Sequence, residues 1–193
     1  MNKNKKNRKG FSILELILAI FVLTVGITGA LKLIVSTIKT SIDTRNSVIA
    51  SGLAQEGVEL LRNRRDNAML DALSDLSQDS EVIFKTALPE DSNCTINVSG
   101  VLDCAPANNN IYLNSDTYSQ SVSSAPISSN PTVFKRILNI IYQPSEAVNG
   151  TAVFTGVRVI SRVWWGSSLP VAAADCNMAN KCVRIDDYLA KRD

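Results

Sequence analysis

The stretch KGFSILELILAIFVLTVGITGALKLIV, residues 9–35, decides how the whole chain is read. From Phe11 to Val35 only Glu15 and Lys32 are charged. As a helix the run spans ~37 Å at ~1.5 Å per residue, and a bilayer core needs ~20 apolar residues. Lys32 sits at the far end, where its ammonium reaches water along its own stem. Lys3, Lys5, Lys6, Arg8 and Lys9 precede Gly10 with no acid among them. Such a cluster holds its end of a membrane helix in the cytoplasm. Glu15 is the oddity. A carboxylate in an apolar helix costs ~2.5–3.5 kcal/mol at mid-membrane and less near the interface.

Two plain readings leave that carboxylate unexplained. A simple membrane anchor has no use for it. A secretory signal peptide cut after Thr28-Gly29-Ala30 places it in the apolar core, and the helical pattern runs on past residue 30 without a break. A third reading uses every feature. Lys9-Gly10-Phe11-Ser12-Ile13-Leu14-Glu15 resembles the class III signal of the type IV prepilins and type II secretion pseudopilins. The resemblance implies that a membrane aspartyl protease, the prepilin peptidase, cuts after Gly10 and methylates the new amine of Phe11. The cut precedes the apolar run, so the mature chain keeps its membrane helix. Glycine suits the close approach of a protease to the backbone. Phe11 and Glu15 stand i,i+4 on one helix face, and the freed amine is cationic near neutrality. In the family the partner amine is usually that of a neighbouring subunit. Either way a buried charge needs a partner, which makes Glu15 the assembly carboxylate.

Composition narrows the alternatives. The chain has 193 residues, 45% hydrophobic and 20% charged, with formal net charge +2. That small excess belongs to the first ten residues; beyond them acids outnumber bases, so no nucleic-acid footprint is evident. There is no histidine, the commonest general base and metal ligand. No phosphate-binding Gly-rich loop and no Ser or Cys nucleophile in a recognisable setting occurs. No catalytic residue, metal or cofactor is therefore expected, and the chain is read as a non-enzyme. Cys94, Cys104, Cys176 and Cys182 lack zinc spacing. They suit two local disulfides formed in an oxidising compartment, with three pairings open.

No proline occurs before Pro89. Ile38, Ile42, Ile49, Leu53 and Leu60 recur at gaps of four and seven, with charges between them. The helix is expected over residues 11–67, its membrane part over 11–35 and its second half packed on a head. Gly26 and Gly29 weaken it; Gly26 and Ala30 have the spacing of close helix packing, while the family resemblance implies local unwinding here. The charge-dense stretch 54–66 reads as a solvated helix end with pairs such as Arg62 with Asp66.

The head is expected over 68–193. Asp71–Leu76 reads as a helical turn and Glu81–Lys85 as a short strand. Two extended runs around Ser99-Gly100 bring Cys94 and Cys104 together. Residues 105–132, rich in Ser, Asn, Pro and Ala, read as a polar surface loop. A C-terminal sheet over 133–189 follows, with strands at 134–142, 153–165 and 182–188. Trp164 and Trp165 read as core and sheet surface rather than a ligand platform. This order is similar to the head of minor pilins and pseudopilins, on Val157–Trp165 and Val183–Leu189. That likeness implies a disulfide between Cys176 and Cys182 closing a loop near the C-terminus.

The expected architecture is therefore α+β and pilin-like: a basic leader over 1–10, a long helix with a membrane-spanning first half, and a small antiparallel sheet lying on the second half. The resemblance implies a structural, minor subunit of a type IV pilus. Its partners are prepilin peptidase, other pilin subunits, the inner-membrane pilus or secretion assembly machinery and the cytoplasmic membrane. It crosses that membrane once with the N-terminus cytoplasmic and the head extracytoplasmic, then passes into the pilus or pseudopilus. A pseudopilin of a type II secretion or DNA-uptake machine is the alternative within the class. A membrane-anchored or secreted binding domain is the alternative outside it.

Overall fold

An uninterrupted run without proline gives one 60-residue helix, α1, Ile13–Ala72, in the computed structural model, which describes residues 12–72, 79–106, 109–114, 117–120, 131–144, 154–167 and 176–191. It ends at Ala72 rather than near Asn67. The chain divides into two compact units, Met1–Thr44 and Arg45–Asp193.

In the first unit, α1 passes through Gly26 and Gly29 as regular helix. Its hydroxyls turn inward on the backbone. Thr24 donates to the Phe21 carbonyl at 2.8 Å, Thr28 to Thr24 at 2.9 Å and Thr37 to Leu33 at 2.9 Å. Each bond satisfies a polar group that apolar surroundings would leave without a partner.

In the second unit, α1 buries Ala50, Leu53, Ala54, Val58 and Leu61, the i, i+3, i+4 face of a helix. Of the anticipated stripe, Leu53 is buried, whereas Ile38 and Ile42 are exposed. Small residues define the true contact face, because they let the backbone approach the sheet.

A short helix, α2, spans Ser80–Ala87. A strand at 81–85 was the expectation from Val, Ile and Phe in sequence, and the structure corrects it. The Asp79 side chain caps the helix by accepting from the Glu81 amide at 2.9 Å. Glu81 and Lys85 pair at 2.6 Å one turn apart, and Pro89 lies just beyond the end. Phe84 and Ala87 face the core. Asp71 and Ala72 extend α1, and residues 73–76 of the expected turn lie outside the described residues.

Among the described residues seven antiparallel strands form the sheet: β1 Asp91–Ile96, β2 Leu102–Asp103, β3 Asn110–Asn114, β4 Thr117–Gln120, β5 Pro131–Pro144, β6 Phe154–Trp164 and β7 Cys182–Ala190. β3 and β4 lie inside the stretch expected to be a polar loop. Their pairing with each other and of β3 with β5 satisfies backbone groups whatever the side chains are. β5 is central. β1 and β3 share one of its edges and β6 takes the other, with β7 beyond β6.

Alternation then assigns the faces. Phe134, Arg136, Leu138 and Ile140 of β5 lie with Val157, Val159, Ser161 and Val163 of β6 on the helix side. Leu138, Ile140, Val157 and Val159 join Val58, Leu61, Phe84 and Leu88 in the larger core. Trp165 joins Ala50, Leu53 and Phe134 in a second cluster, and Trp164 lies with Ile137 and Cys182 in a third.

Two glycines of α1 test this packing. A Cβ at buried Gly57 would lie 3.1 Å from Arg136 Cδ, Leu138 Cδ2 and Ser161 Oγ, whereas one at exposed Gly52 would meet nothing within 4 Å. Gly52→Ala gains the helix preference of alanine, about 1 kcal/mol. Gly57→Ala gains the same but forces three neighbours apart, which costs about 1–3 kcal/mol. Urea midpoints are expected to rise for Gly52→Ala and fall for Gly57→Ala. Equal shifts would show that the helix does not press on the sheet at Gly57.

Candidate functional site

Two parts of the molecule merit a functional reading: the apolar first unit and the polar ties of the head. In the first unit every residue from Ser12 to Ile42 is exposed, including Ile13, Leu14, Phe21, Val25, Leu33 and Ile38. The helix is long and apolar enough to cross a membrane and none of that stretch is buried. A soluble monomer rarely shows apolar patches beyond a few hundred Å² (~300–600 Å² for the largest), so this surface calls for lipid or partner helices.

Glu15 lies in the first turn of α1. Its amide donates to the Ser12 carbonyl at 3.0 Å, and that of Leu16 to the same oxygen at 3.2 Å. A carboxylate at this end opposes the partial positive charge of the helix N-terminus, which stabilises it. Gly10 and Phe11 lie outside the described residues, so no geometry is assigned to the expected cut or to an amine partner of Glu15. A Cβ at Gly26 or Gly29 would meet nothing within 4 Å, which leaves both as open notches on the helix surface.

The head is closed by covalent and ionic ties. Cys94 is bonded to Cys104, and Cys176 to Cys182. The first bridge spans the β1–β2 hairpin, with Cys94 in the larger core, and its turn is made by Gly100 at φ +76°. The second holds Cys176 against Ile137, Trp164 and Cys182.

The charge-dense end of α1 is not merely solvated. Arg62 pairs with Glu59 at 2.6 Å and with Asp187 of β7 at 2.7 Å, rather than with Asp66, which binds Arg65. Desolvation is the largest single influence on Arg62 and pushes it down, but the Glu59 and Asp187 carboxylates together outweigh it and hold the guanidinium above its ordinary range. Arg64 donates to the Ala87 carbonyl at 2.7 Å and to that of Gly100 at 2.8 Å. It thereby floors an open groove of about 690 Å³ between α1, α2 and the β1–β2 turn.

Sequence reasoning missed Arg136. It is 2% exposed and lies on the helix side of β5. Its guanidinium donates to the carbonyls of Leu53 and Ile96, each at 2.9 Å, and to Gln120 Oε1 at 3.1 Å. Glu56 stands 3.5 Å away. Burial pushes the Arg136 guanidinium down, and the Glu56 charge opposes that. The available signal was a cation placed in alternation with Phe134, Leu138 and Ile140, on the side of an apolar strand that must face the core.

The profile of the prokaryotic N-terminal methylation motif matches residues 5–31. That match covers most of the basic cluster, Gly10, Phe11, Glu15 and the helix as far as Leu31, and none of the head. No curated protein and no solved structure matches the chain. The motif, the long apolar helix and the antiparallel sheet on its second half support a place in the type IV pilin and pseudopilin family. That motif family is structural rather than catalytic, and its signal implies processing by prepilin peptidase and assembly with other pilin subunits.

Proposed function

We propose that this chain is a structural, minor subunit of a type IV pilus. Prepilin peptidase cuts it after Gly10 and methylates Phe11, and the inner-membrane assembly machinery adds it to the filament through its N-terminal helix. One observation carries the reading: the apolar first part of α1, exposed as far as Ile42, bears a carboxylate, Glu15, in its first turn and lies under a methylation-motif match over residues 5–31. Lipid tails are as apolar as the helix, so leaving the bilayer requires helix–helix burial and a partner for that carboxylate. Gly26 and Gly29 offer the close approach such burial uses. Before assembly the chain crosses the cytoplasmic membrane once, with its head outside. A pseudopilin of a type II secretion or DNA-uptake machine shares all of this chemistry. A filament on the cell surface that contains the chain supports the pilus, and its confinement to the envelope supports the pseudopilin.

The test is N-terminal mass spectrometry of the protein from its native host. A chain starting at Phe11 and carrying one methyl group is expected. A start at Leu31 would make it a secreted domain, and a retained leader would make it a plain anchor; either result overturns the proposal.

A further inference from the structure

The groove floored by Arg64 carries a second site, which stands independently of the assembly reading. One face of α1 forms its long wall, through Leu60, Asn63, Asn67 and Asp71, and Ile83 and Val98 line it from α2 and the β1–β2 turn. From Leu60 to Asp71 the helix runs ~16 Å, the length of about five residues of extended chain. A volume of about 690 Å³ falls in the ~300–1,000 Å³ of ligand sites. Asn63 and Asn67 are exposed, stand one turn apart on this wall and make no hydrogen bond among the described residues. Their separation along the helix axis is ~6 Å. An extended chain repeats the N–H and C=O of one edge every two residues, or ~6.6 Å. Each carboxamide both donates and accepts, so each matches the N–H and C=O of one such residue.

Arg64 adds a charge. Nε and Nη1 donate to the Ala87 and Gly100 carbonyls, which fixes the plane of the guanidinium in the groove. Nη2 makes no hydrogen bond among the described residues and keeps access to solvent, and no carboxylate among them pairs with the group. Asp71 lies ~10 Å further along α1, so the groove is cationic at one end and anionic at the other. No aromatic side chain is among the described residues that line it, and a base or sugar ring finds no stacking platform there. We propose that this groove binds an extended segment of another protein chain, held by its backbone on Asn63 and Asn67 and by one acidic side chain on Arg64. Main-chain bonds supply affinity in such sites and side-chain contacts supply specificity. Leu60, Ile83 and Val98 offer apolar contact to the alternate side chains that an extended segment turns to one side.

Panning the full chain, immobilised in neutral detergent micelles, against random hexapeptides tests this. The recovered peptides are expected to share one carboxylate side chain near one end. The best of them, synthesised with a fluorescent label, is expected to bind saturably, and about tenfold more weakly once that acid is replaced by its amide. Methylation of its peptide nitrogens is expected to remove binding. Asn63→Ala and Asn67→Ala are each expected to weaken binding about tenfold. Both side chains are exposed and bond to nothing else in the head, so these variants remain informative if Arg64→Gln, which is expected to erase the preference for the acid, folds poorly. Failure to recover a common peptide, or equal binding by wild type and both asparagine variants, overturns the proposal. So does equal binding of the acid and amide peptides, or of the N-methylated form.

Discussion

A Glu15→Val chain is expected to be cut, methylated and retained in the membrane, and to be depleted from the assembled filament by roughly 100-fold. The magnitude follows from the partner it abandons. On the proposed assembly, the amine of Phe11 enters an apolar helix bundle and needs a counter-charge. Leaving a buried charge unpaired costs about 3–5 kcal/mol, and each 1.4 kcal/mol is about tenfold in an equilibrium. Membrane retention does not depend on Glu15, because the valine only makes the helix more apolar. The two readouts therefore separate: immunoblots of the membrane fraction stay level, and those of the sheared filament fraction fall. Glu15→Gln keeps the size and removes the charge, and should fall almost as far. Wild-type amounts of either variant in the filament would show that the carboxylate has no part in assembly. The membrane would then be its only context, and its cost there would stand without a return.

The first unit was legible because its message is compositional. A long apolar run without proline must be helix in a bilayer, since no other single segment satisfies its own backbone. Position within it mattered only for Gly10, Phe11 and Glu15. The head was legible where alternation was strong, as in Phe154–Trp164, whose partners on β5 and β7 follow in unbroken antiparallel register from Gly156 to Trp164. It was not legible where pairing alone makes the structure. Asn110–Asn114 and Thr117–Gln120 are short and lie in a stretch rich in Ser, Asn, Pro and Ala, yet β3 seats Ile111 at 1% exposure and β4 seats Gln120 at 1%. One buried side chain per strand is too faint a signal for a periodicity scan. The strand anticipated at Glu81–Lys85 failed for a different reason. Its β-branched and aromatic residues favour extended backbone weakly, and the Asp79 cap, the Glu81–Lys85 pair and the apolar positions of one helical face outweigh that preference. The face of α1 was displaced because Ala50, Ala54 and Gly57 carry little hydrophobic weight in a sequence, although close approach to a sheet requires small residues there.

The largest stability loss in the head is expected at Arg136. Its side chain reaches across from β5 to the Leu53 carbonyl of α1, the Ile96 carbonyl of β1 and Gln120 of β4. Gln120 in turn donates to the Arg136 carbonyl at 2.7 Å, so the two side chains hold each other. Gly57 makes room for this, since its missing Cβ is where the arginine stem passes. Two explanations compete for why a cation is tolerated in this core. One is the ion pair with Glu56; the other is solvation by fixed oxygens. Distances and exposure decide between them. The ion pair is 3.5 Å long and the Glu56 side chain is 35% exposed, whereas both carbonyl bonds are 2.9 Å long and buried. A pair that open is worth about 0–1 kcal/mol. Without the guanidinium the buried Ile96 carbonyl and Gln120 Oε1 lose this donor, at about 1–3 kcal/mol each, whereas the Leu53 carbonyl keeps the helical bond that α1 gives it. Arg136→Met is therefore expected to lose about 3–5 kcal/mol, or roughly 10 °C in midpoint, although it removes a buried charge and keeps most of the volume. Arg136→Lys keeps the charge but cannot divide one ammonium among three elements as a planar fork does, and it should fall between methionine and wild type. Glu56→Gln should cost less than about 1 kcal/mol. Urea unfolding of the four proteins ranks them, and a Glu56→Gln loss equal to that of Arg136→Met would move the stabilisation from the carbonyls to the ion pair. The expected order makes Arg136 the point at which α1, β1, β4 and β5 are fastened together, through backbone oxygens of α1 and β1 and the Gln120 side chain of β4.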